Sequence, residues 1–173
     1  RLMIFETERL YATKWKPMDL QALHDLFNDT AIKEFILPQL TIEETRSIFE
    51  NQLNDYSGHF PFGRYFIVEK SSSQFIGLLL FKKDTEKRGV EIGYSLIKSK
   101  WQKGYATEIV KAATSWIFEQ DRYLSISEIT ALHNKNSKNV LLKCGSLPEE
   151  SFSENGEEMN VVGLLKADIS VLQ

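Results

Sequence analysis

The residues of this chain best suited to chemistry gather in one short stretch, Gln102-Lys-Gly-Tyr-Ala-Thr107. A loop of this make-up, running straight into a helix, aims several backbone N–H groups at one spot. The first helical turn adds unpaired donors and the positive end of the helix dipole. Together these make an anion site, most naturally one for a phosphate. Gly104 and Ala106 keep bulky side chains out of the way. The plain alternative is a strand-to-helix turn that needs glycine for its backbone geometry. A short glycine motif alone does not decide between the two. Other phosphate loops fit badly, because the chain has neither Gly-x-x-x-x-Gly-Lys-Ser/Thr nor Gly-x-Gly-x-x-Gly.

The elements that must hold this loop are legible on either side. Residues 90–97 alternate, with Val90, Ile92, Tyr94 and Leu96 facing one way and Glu91, Gly93, Ser95 and Ile97 the other. That is a strand. After the loop, Ala106, Ile109, Val110, Ala113, Trp116 and Ile117 share one face of a helix. Residues 127–133 read as the next strand. A strand that follows a helix that followed a strand is most simply a parallel neighbour of the first. Ligands in α/β sheets sit where such neighbours part, near their carboxyl ends.

The longer string around the loop resembles the coenzyme A loop of the GNAT acetyltransferase superfamily, Arg/Gln-x-x-Gly-x-Gly/Ala. Trp101-Gln-Lys-Gly-Tyr-Ala106 fits it, with Trp101 in the first position. A Trp there, after Glu-Ile-Gly-Tyr and before Ala-Thr-Glu, resembles the branch that acetylates the N-termini (alanine or serine) of ribosomal proteins. Thr7-Glu-Arg-Leu10 resembles an opening common in that branch. A second stretch, Asn134 to Gly145, resembles the superfamily's closing motif Asn-x-x-Ser-x-x-Val-Leu-x-Lys-x-Gly-Phe. Asn134, Ser137, Val140, Leu141, Lys143 and Gly145 match it. Ser146 stands where Phe is usual, and Leu142 where Glu is common. The missing Phe is expected to loosen local packing rather than touch the chemistry.

The resemblance implies a single N-acetyltransferase domain over residues 1–173. Its α/β fold would have a mixed, mostly antiparallel central sheet, with parallel splayed strands in the middle and helices on both faces. It implies acetyl-CoA as cosubstrate and no metal. The backbone of Gln102, Lys103, Gly104, Tyr105, Ala106 and Thr107 would cradle the pyrophosphate. Backbone at Ser95, Leu96 and Ile97 would pair with the pantetheine arm, and Asn134 would bond the same arm from the other side. The implied reaction is attack by an amine on the thioester. The ammonium must lose a proton, the oxyanion needs donors, and the leaving thiolate needs a proton. Glu91 is the candidate base, directly or through a water. Its plain alternative is a partly exposed sheet residue, or one that pairs with a basic side chain. Ser137 is the candidate acid toward the thiolate, and helix N-capping is its alternative. Tyr105 is expected to pack on the coenzyme or the helix, Tyr94 to join the core, and Cys144 to act as a small buried hydrophobe.

Composition sets the outer bounds. The 173 residues are 42% hydrophobic and 26% charged, values of a soluble globular chain. Net charge is -3, so the chain offers no basic footprint for nucleic acid. No apolar run is long enough to span a membrane. The single Cys144 excludes an internal disulfide and fits a reducing cytosol. His24, His59 and His133 make no metal-ligand spacing with it. The chain starts at Arg1 rather than Met, which leaves an upstream residue or more open.

The remaining elements follow from pattern. Residues 8–14 alternate as a strand. Asp19 is placed to cap a helix presenting Leu20, Leu23, Leu26 and Phe27. Thr41-Ile-Glu-Glu44 is a capping box opening a helix through Ile48, Phe49 and Leu53. Residues 56–63 read as an aromatic loop, either fastened to the core by Phe60 and Phe62 or forming a wall of the acceptor pocket. Residues 64–70 and 75–82 are strands, the second apolar enough for burial on both faces. Residues 159–166 are a last strand, and 151–158 a polar hairpin loop. The acidic group Glu149, Glu150, Glu154, Glu157 and Glu158 is either a solvated loop or an attraction for a cationic acceptor. The acceptor itself, a protein N-terminus or a small amine such as a polyamine or an antibiotic amino group, has no decodable motif, and monomer and homodimer are both open. A non-catalytic acyl-CoA-binding or regulatory domain on the same fold is the competing reading. An unrelated nucleotide-binding module is a third.

Overall fold

In the computed structural model, residues 2–29, 40–58, 60–84, 89–120, 125–131, 147–154 and 157–165 are described. Their contacts fall into two compact units: Arg1–Phe81 with Tyr94–Trp101, and Lys82–Gly93 with Gln102–Gln173.

The first unit is built on an antiparallel meander. Strand β1 (Met3–Glu6) pairs with β2 (Leu10–Thr13), β2 with β3 (Gly63–Glu69), and β3 with β4 (Gln74–Asp84). Helices α1 (Leu20–Phe27) and α2 (Ile42–Gly58) pack on it. Their apolar stripes meet the sheet in one cluster of Trp15, Leu23, Leu26, Phe27, Phe49, Phe66, Val68 and Leu78, with Leu20, Ile48 and Leu53 at its margin. The helical spacing read from the sequence is therefore the core face. In β3, Tyr65 to Glu69 are all buried, so both faces of that strand are covered.

The capping box forms as expected. Thr41 N donates to Glu44 Oε2 at 2.7 Å, and Glu44 N to Thr41 Oγ1 at 3.2 Å. Asp19 does otherwise. It ends a 3-10 turn over Pro17–Asp19, and its carboxylate accepts from Lys16 N at 2.9 Å rather than capping α1. Pro17 starts that turn, and the short turn takes the cap for itself.

The stretch read as a loop over residues 56–63 is partly helix, since α2 continues to Gly58. Tyr56 on α2 accepts a hydrogen bond from Trp15 N at 3.1 Å and donates to the Arg64 carbonyl. Burial pushes its phenol well above the usual tyrosine range, so it remains a donor at neutral pH. Phe60 is 44% exposed, and Pro61 is the residue that is buried there. Of the two phenylalanines expected to fasten the loop, Phe62 is half-buried and Phe60 lies outside the core. Tyr65 Oη donates to the Pro61 carbonyl at 2.6 Å.

Strand β5 (Gly89–Leu96) begins in the second unit and ends in the first. Its end lies close to β4. A Cβ built on Gly77 would stand 2.1 Å from the Ser95 carbonyl oxygen, so only glycine fits there. The ladder from β3 to β4 also shifts register between Ile67 and Val68, next to this point.

In the second unit β5 pairs in parallel with β6 (Ser125–Ala131), through Val90 with Ile126 and Glu91 with Ser127. Strand β6 pairs antiparallel with β8 (Glu157–Leu165), and β8 with β7 (Leu147–Glu154). Helix α3 (Tyr105–Glu119) buries Ile109, Val110, Ala113, Thr114, Ile117 and Phe118. The α/β class and the mostly antiparallel sheet with one parallel pair are those expected. One strand is new. Most of residues 151–158 belongs to β7 and β8 rather than to a hairpin loop. β7 carries Pro148 and several acidic residues, which lower its strand propensity. It pairs on one side only in this unit, the place where charge and proline are tolerated.

Candidate active site

The loop that opens α3 has the geometry the sequence predicts for an anion cradle. A 3-10 turn over Lys98–Lys100 leads to Trp101, and then the backbone turns left-handed twice. Gln102 has φ 57° and Gly104 has φ 80°. Only glycine adopts the second at no steric penalty, whereas Gln102 pays about 1–2 kcal/mol. Strain of this kind persists where surroundings hold it and clusters at ligand clamps. Gly104 is the N-cap of α3 and no side chain caps the helix. The first intrahelical bond is Glu108 N to the Gly104 carbonyl at 3.1 Å. The amides of Tyr105, Ala106 and Thr107 therefore precede the helical ladder, the place where a helix can meet an anion. Gln102, Lys103 and Gly104 are exposed, and Tyr105, Ala106 and Thr107 half-buried. These residues fit a pyrophosphate.

Gly104→Val is expected to raise the dissociation constant for CoA by about tenfold or more, from left-handed strain on a β-branched residue. Isothermal titration would read it, with Lys103→Ala as a milder control.

Ser95, Leu96 and Ile97 lie in the first unit, where their backbone is partly engaged. The Leu96 carbonyl accepts from Trp101 Nε1 at 2.8 Å, and Ile97 N donates to the Ile76 carbonyl at 2.9 Å. The Ile97 carbonyl accepts from Lys100 N at 3.0 Å. Each carbonyl keeps a second lone pair for an incoming amide. The indole contact explains a Trp before the loop: it ties the turn back to the strand that leads into it.

Glu91 sits between buried Val90 and Ile92, on the opposite face of β5. Its side chain is 22% exposed and lies 3.4 Å from Lys82 Nζ, whose side chain is 64% exposed. It is thus a half-buried carboxylate with a flexible cationic neighbour. Its Cα partner across the parallel pair is Ser127. Nothing in the sequence marked Lys82, because cross-strand neighbours on β4 and β5 are fixed by register. Asn134, Ser137 and Cys144 lie outside the described residues.

Two features escaped the sequence reading. Lys100 Nζ meets both carboxylate oxygens of Glu69 at 2.8 Å, though the residues are 31 apart in the chain. Lys14 Nζ stands 5.1 Å from the Tyr56 ring centroid and 5.0 Å from that of Phe60. Alternating charge in the strands gave no hint of either. Among the described residues no group of three or more His, Cys, Asp or Glu is placed to hold a metal ion. No described helix is long and apolar enough to cross a membrane.

Residues 9–146 match the family model of the acetyltransferase (GNAT) domain. The chain is similar to the uncharacterized N-acetyltransferase YoaA of Bacillus subtilis, at 27% identity over 172 residues, or 94% of this chain and 97% of that one. Its fold is similar to that of the ribosomal-protein-S5-alanine acetyltransferase from Vibrio fischeri, with TM-score 0.79, 18% identity, and 97% and 98% of the two chains covered. It is also similar to that of the spermidine N-acetyltransferase from Vibrio cholerae in complex with CoA and spermine, with TM-score 0.77, 18% identity, and 93% and 98% covered. At such identities these two likenesses show the fold alone.

Proposed function

Because this chain belongs to the GNAT acetyltransferase family, whose members transfer an acetyl group to an amine, we propose that it takes that group from acetyl-CoA. The acceptor is a primary amine, with a protein N-terminus as first choice. The observation that carries the proposal is the twice left-handed, uncapped entry into α3 at Gln102 and Gly104. Such an entry suits a diphosphate.

In this reading the amides of residues 102–107 hold the pyrophosphate. Backbone at Ser95, Leu96 and Ile97 pairs with the pantetheine arm, helped by Asn134. Glu91 takes the proton from the acceptor's ammonium, directly or through a water. The freed amine nitrogen forms a bond to the acetyl carbon, the carbon–sulfur bond breaks, Ser137 gives the thiolate its proton, and the second proton of the nitrogen restores the Ser137 hydroxyl. Relatives of similar fold include an enzyme named for a ribosomal protein and one named for spermidine, so fold does not choose the acceptor. The Trp101 loop string favours the protein N-terminus.

A non-catalytic acyl-CoA-binding role is the second reading. The Lys82 contact favours it, since a carboxylate with a cationic neighbour is less ready to receive another ammonium.

The test is release of free CoA thiol from acetyl-CoA with two acceptor sets: peptides beginning in alanine or serine, and spermidine with spermine. Thiol release with a peptide and an N-terminally acetylated product by mass is expected. Turnover on the polyamines alone moves the acceptor class. CoA binding with no turnover on any amine selects the second reading.

A further inference from the structure

One ion pair in the first unit is buried where stability alone does not ask for it. The Glu69 side chain is 7% exposed and that of Lys100 is 18% exposed. The ammonium meets both Glu69 oxygens at 2.8 Å, and Ser72 Oγ donates to Glu69 Oε2 at 2.6 Å. Desolvating two charges offsets most of their attraction, so such a pair is weak evidence for a stability role. What it does supply is a single arrangement, since either charge left alone there is strongly unfavourable.

The position of the pair says which arrangement. Lys100 ends the 3-10 turn and is two residues before Gln102. Glu69 ends β3, fixed by the bond from Lys70 N to the Arg9 carbonyl at 2.9 Å and from Ser73 N to its own carbonyl at 2.8 Å. The turn is held besides by Trp101 Nε1 on the Leu96 carbonyl. Immediately afterwards Gln102 must take its left-handed φ of 57°. A residue so placed relaxes to a commoner conformation unless the chain before it is anchored.

We propose that the Glu69–Lys100 pair is a positioning element that orders the loop at residues 101–107 before the coenzyme arrives, and thereby sets the affinity for CoA. The affinity part rests on the acetyl-CoA reading above. The ordering part does not.

The experiment compares wild type with Glu69→Gln, Lys100→Met and the double variant Glu69→Met/Lys100→Met. Three quantities are read: amide hydrogen exchange in the ligand-free protein, CoA affinity by calorimetry, and melting temperature. Breaking the pair is expected to speed exchange at residues 101–107 and raise the dissociation constant for CoA, each by about tenfold. Exchange in β2 and β3 should stay as in wild type. With an acceptor in hand, kcat at saturating acetyl-CoA stays within about twofold. The double apolar variant recovers the melting temperature but neither the slow exchange nor the affinity. That split separates positioning from mere stability. Wild-type exchange and wild-type CoA affinity in the double variant would overturn the proposal, whatever the melting temperatures. If wild-type protein binds no CoA, the acetyl-CoA reading falls, and exchange at residues 101–107 alone decides the ordering claim.

Discussion

Glu91→Gln is expected to lower kcat by roughly a hundredfold to ten-thousandfold, the range that a positioned acid or base contributes. The amide keeps the shape of the side chain and removes its ability to take a proton. The Michaelis constant for acetyl-CoA should change little, because no part of the coenzyme is assigned to Glu91. At higher pH more of the acceptor amine arrives already deprotonated, so the variant should recover activity as pH rises, and wild type less so. The Lys82 contact makes a second variant informative. Lys82→Met removes the cation 3.4 Å from the carboxylate. If that contact competes with the acceptor, the variant should turn over as fast as wild type or faster. A Glu91→Gln enzyme with unchanged kcat across pH takes this residue out of the chemistry.

Trp15→Ala is expected to cost about 3–5 kcal/mol, as large aromatic truncations in cores do. Trp15 is 3% exposed. Its ring stacks on Phe49 at 5.7 Å and 6°, meets Phe27 edge-on at 6.4 Å, and lies 5.6 Å from Phe66. It thus joins α1, α2 and β3 at one point. A loss of this size takes much of the roughly 5–15 kcal/mol that holds an ordinary domain together. Trp15→Phe should cost far less than the alanine variant. The indole Nε1 is buried and has no hydrogen-bond partner among the described residues. Removing an unsatisfied donor offsets part of the lost packing. Denaturant unfolding followed by circular dichroism measures both. Equal losses in the two variants would contradict this, because a phenyl ring refills most of the space that alanine leaves empty.

What the sequence made legible was local and periodic. The capping box at Thr41 and Glu44, the apolar face of α3 around Ile109 and Ala113, and the alternation of Val90 and Ile92 all depend on neighbours a few residues apart. Each reappears in the structure. The turn into α3 was legible for the same reason, because Gly104 sits where the backbone turns left-handed into the helix. The readings that failed were set by competition or by distance. Asp19 had two amides within reach and serves the earlier one. Strand β7 has an acidic, proline-bearing sequence, and only its pairing with β8 makes it a strand. Phe60 had the composition of a core anchor, yet Pro61 took the buried place. The Lys82–Glu91 pair joins residues whose proximity is decided by strand register, and the Glu69–Lys100 pair joins a strand end to a distant turn, neither of which a local pattern encodes.

The central claim is that the entry to α3 binds the diphosphate of acetyl-CoA. The most direct measurement is the melting temperature of the protein with acetyl-CoA, CoA, ATP and NAD in turn, each in large excess. A ligand that binds only the native state at a hundred times its dissociation constant adds about 2.7 kcal/mol, which is readily visible as a shift. The account predicts a shift with acetyl-CoA and CoA, cut to about half or less in Gly104→Val, and none with ATP or NAD. A shift with ATP or NAD in place of the coenzymes, or no shift with any of the four, would contradict it.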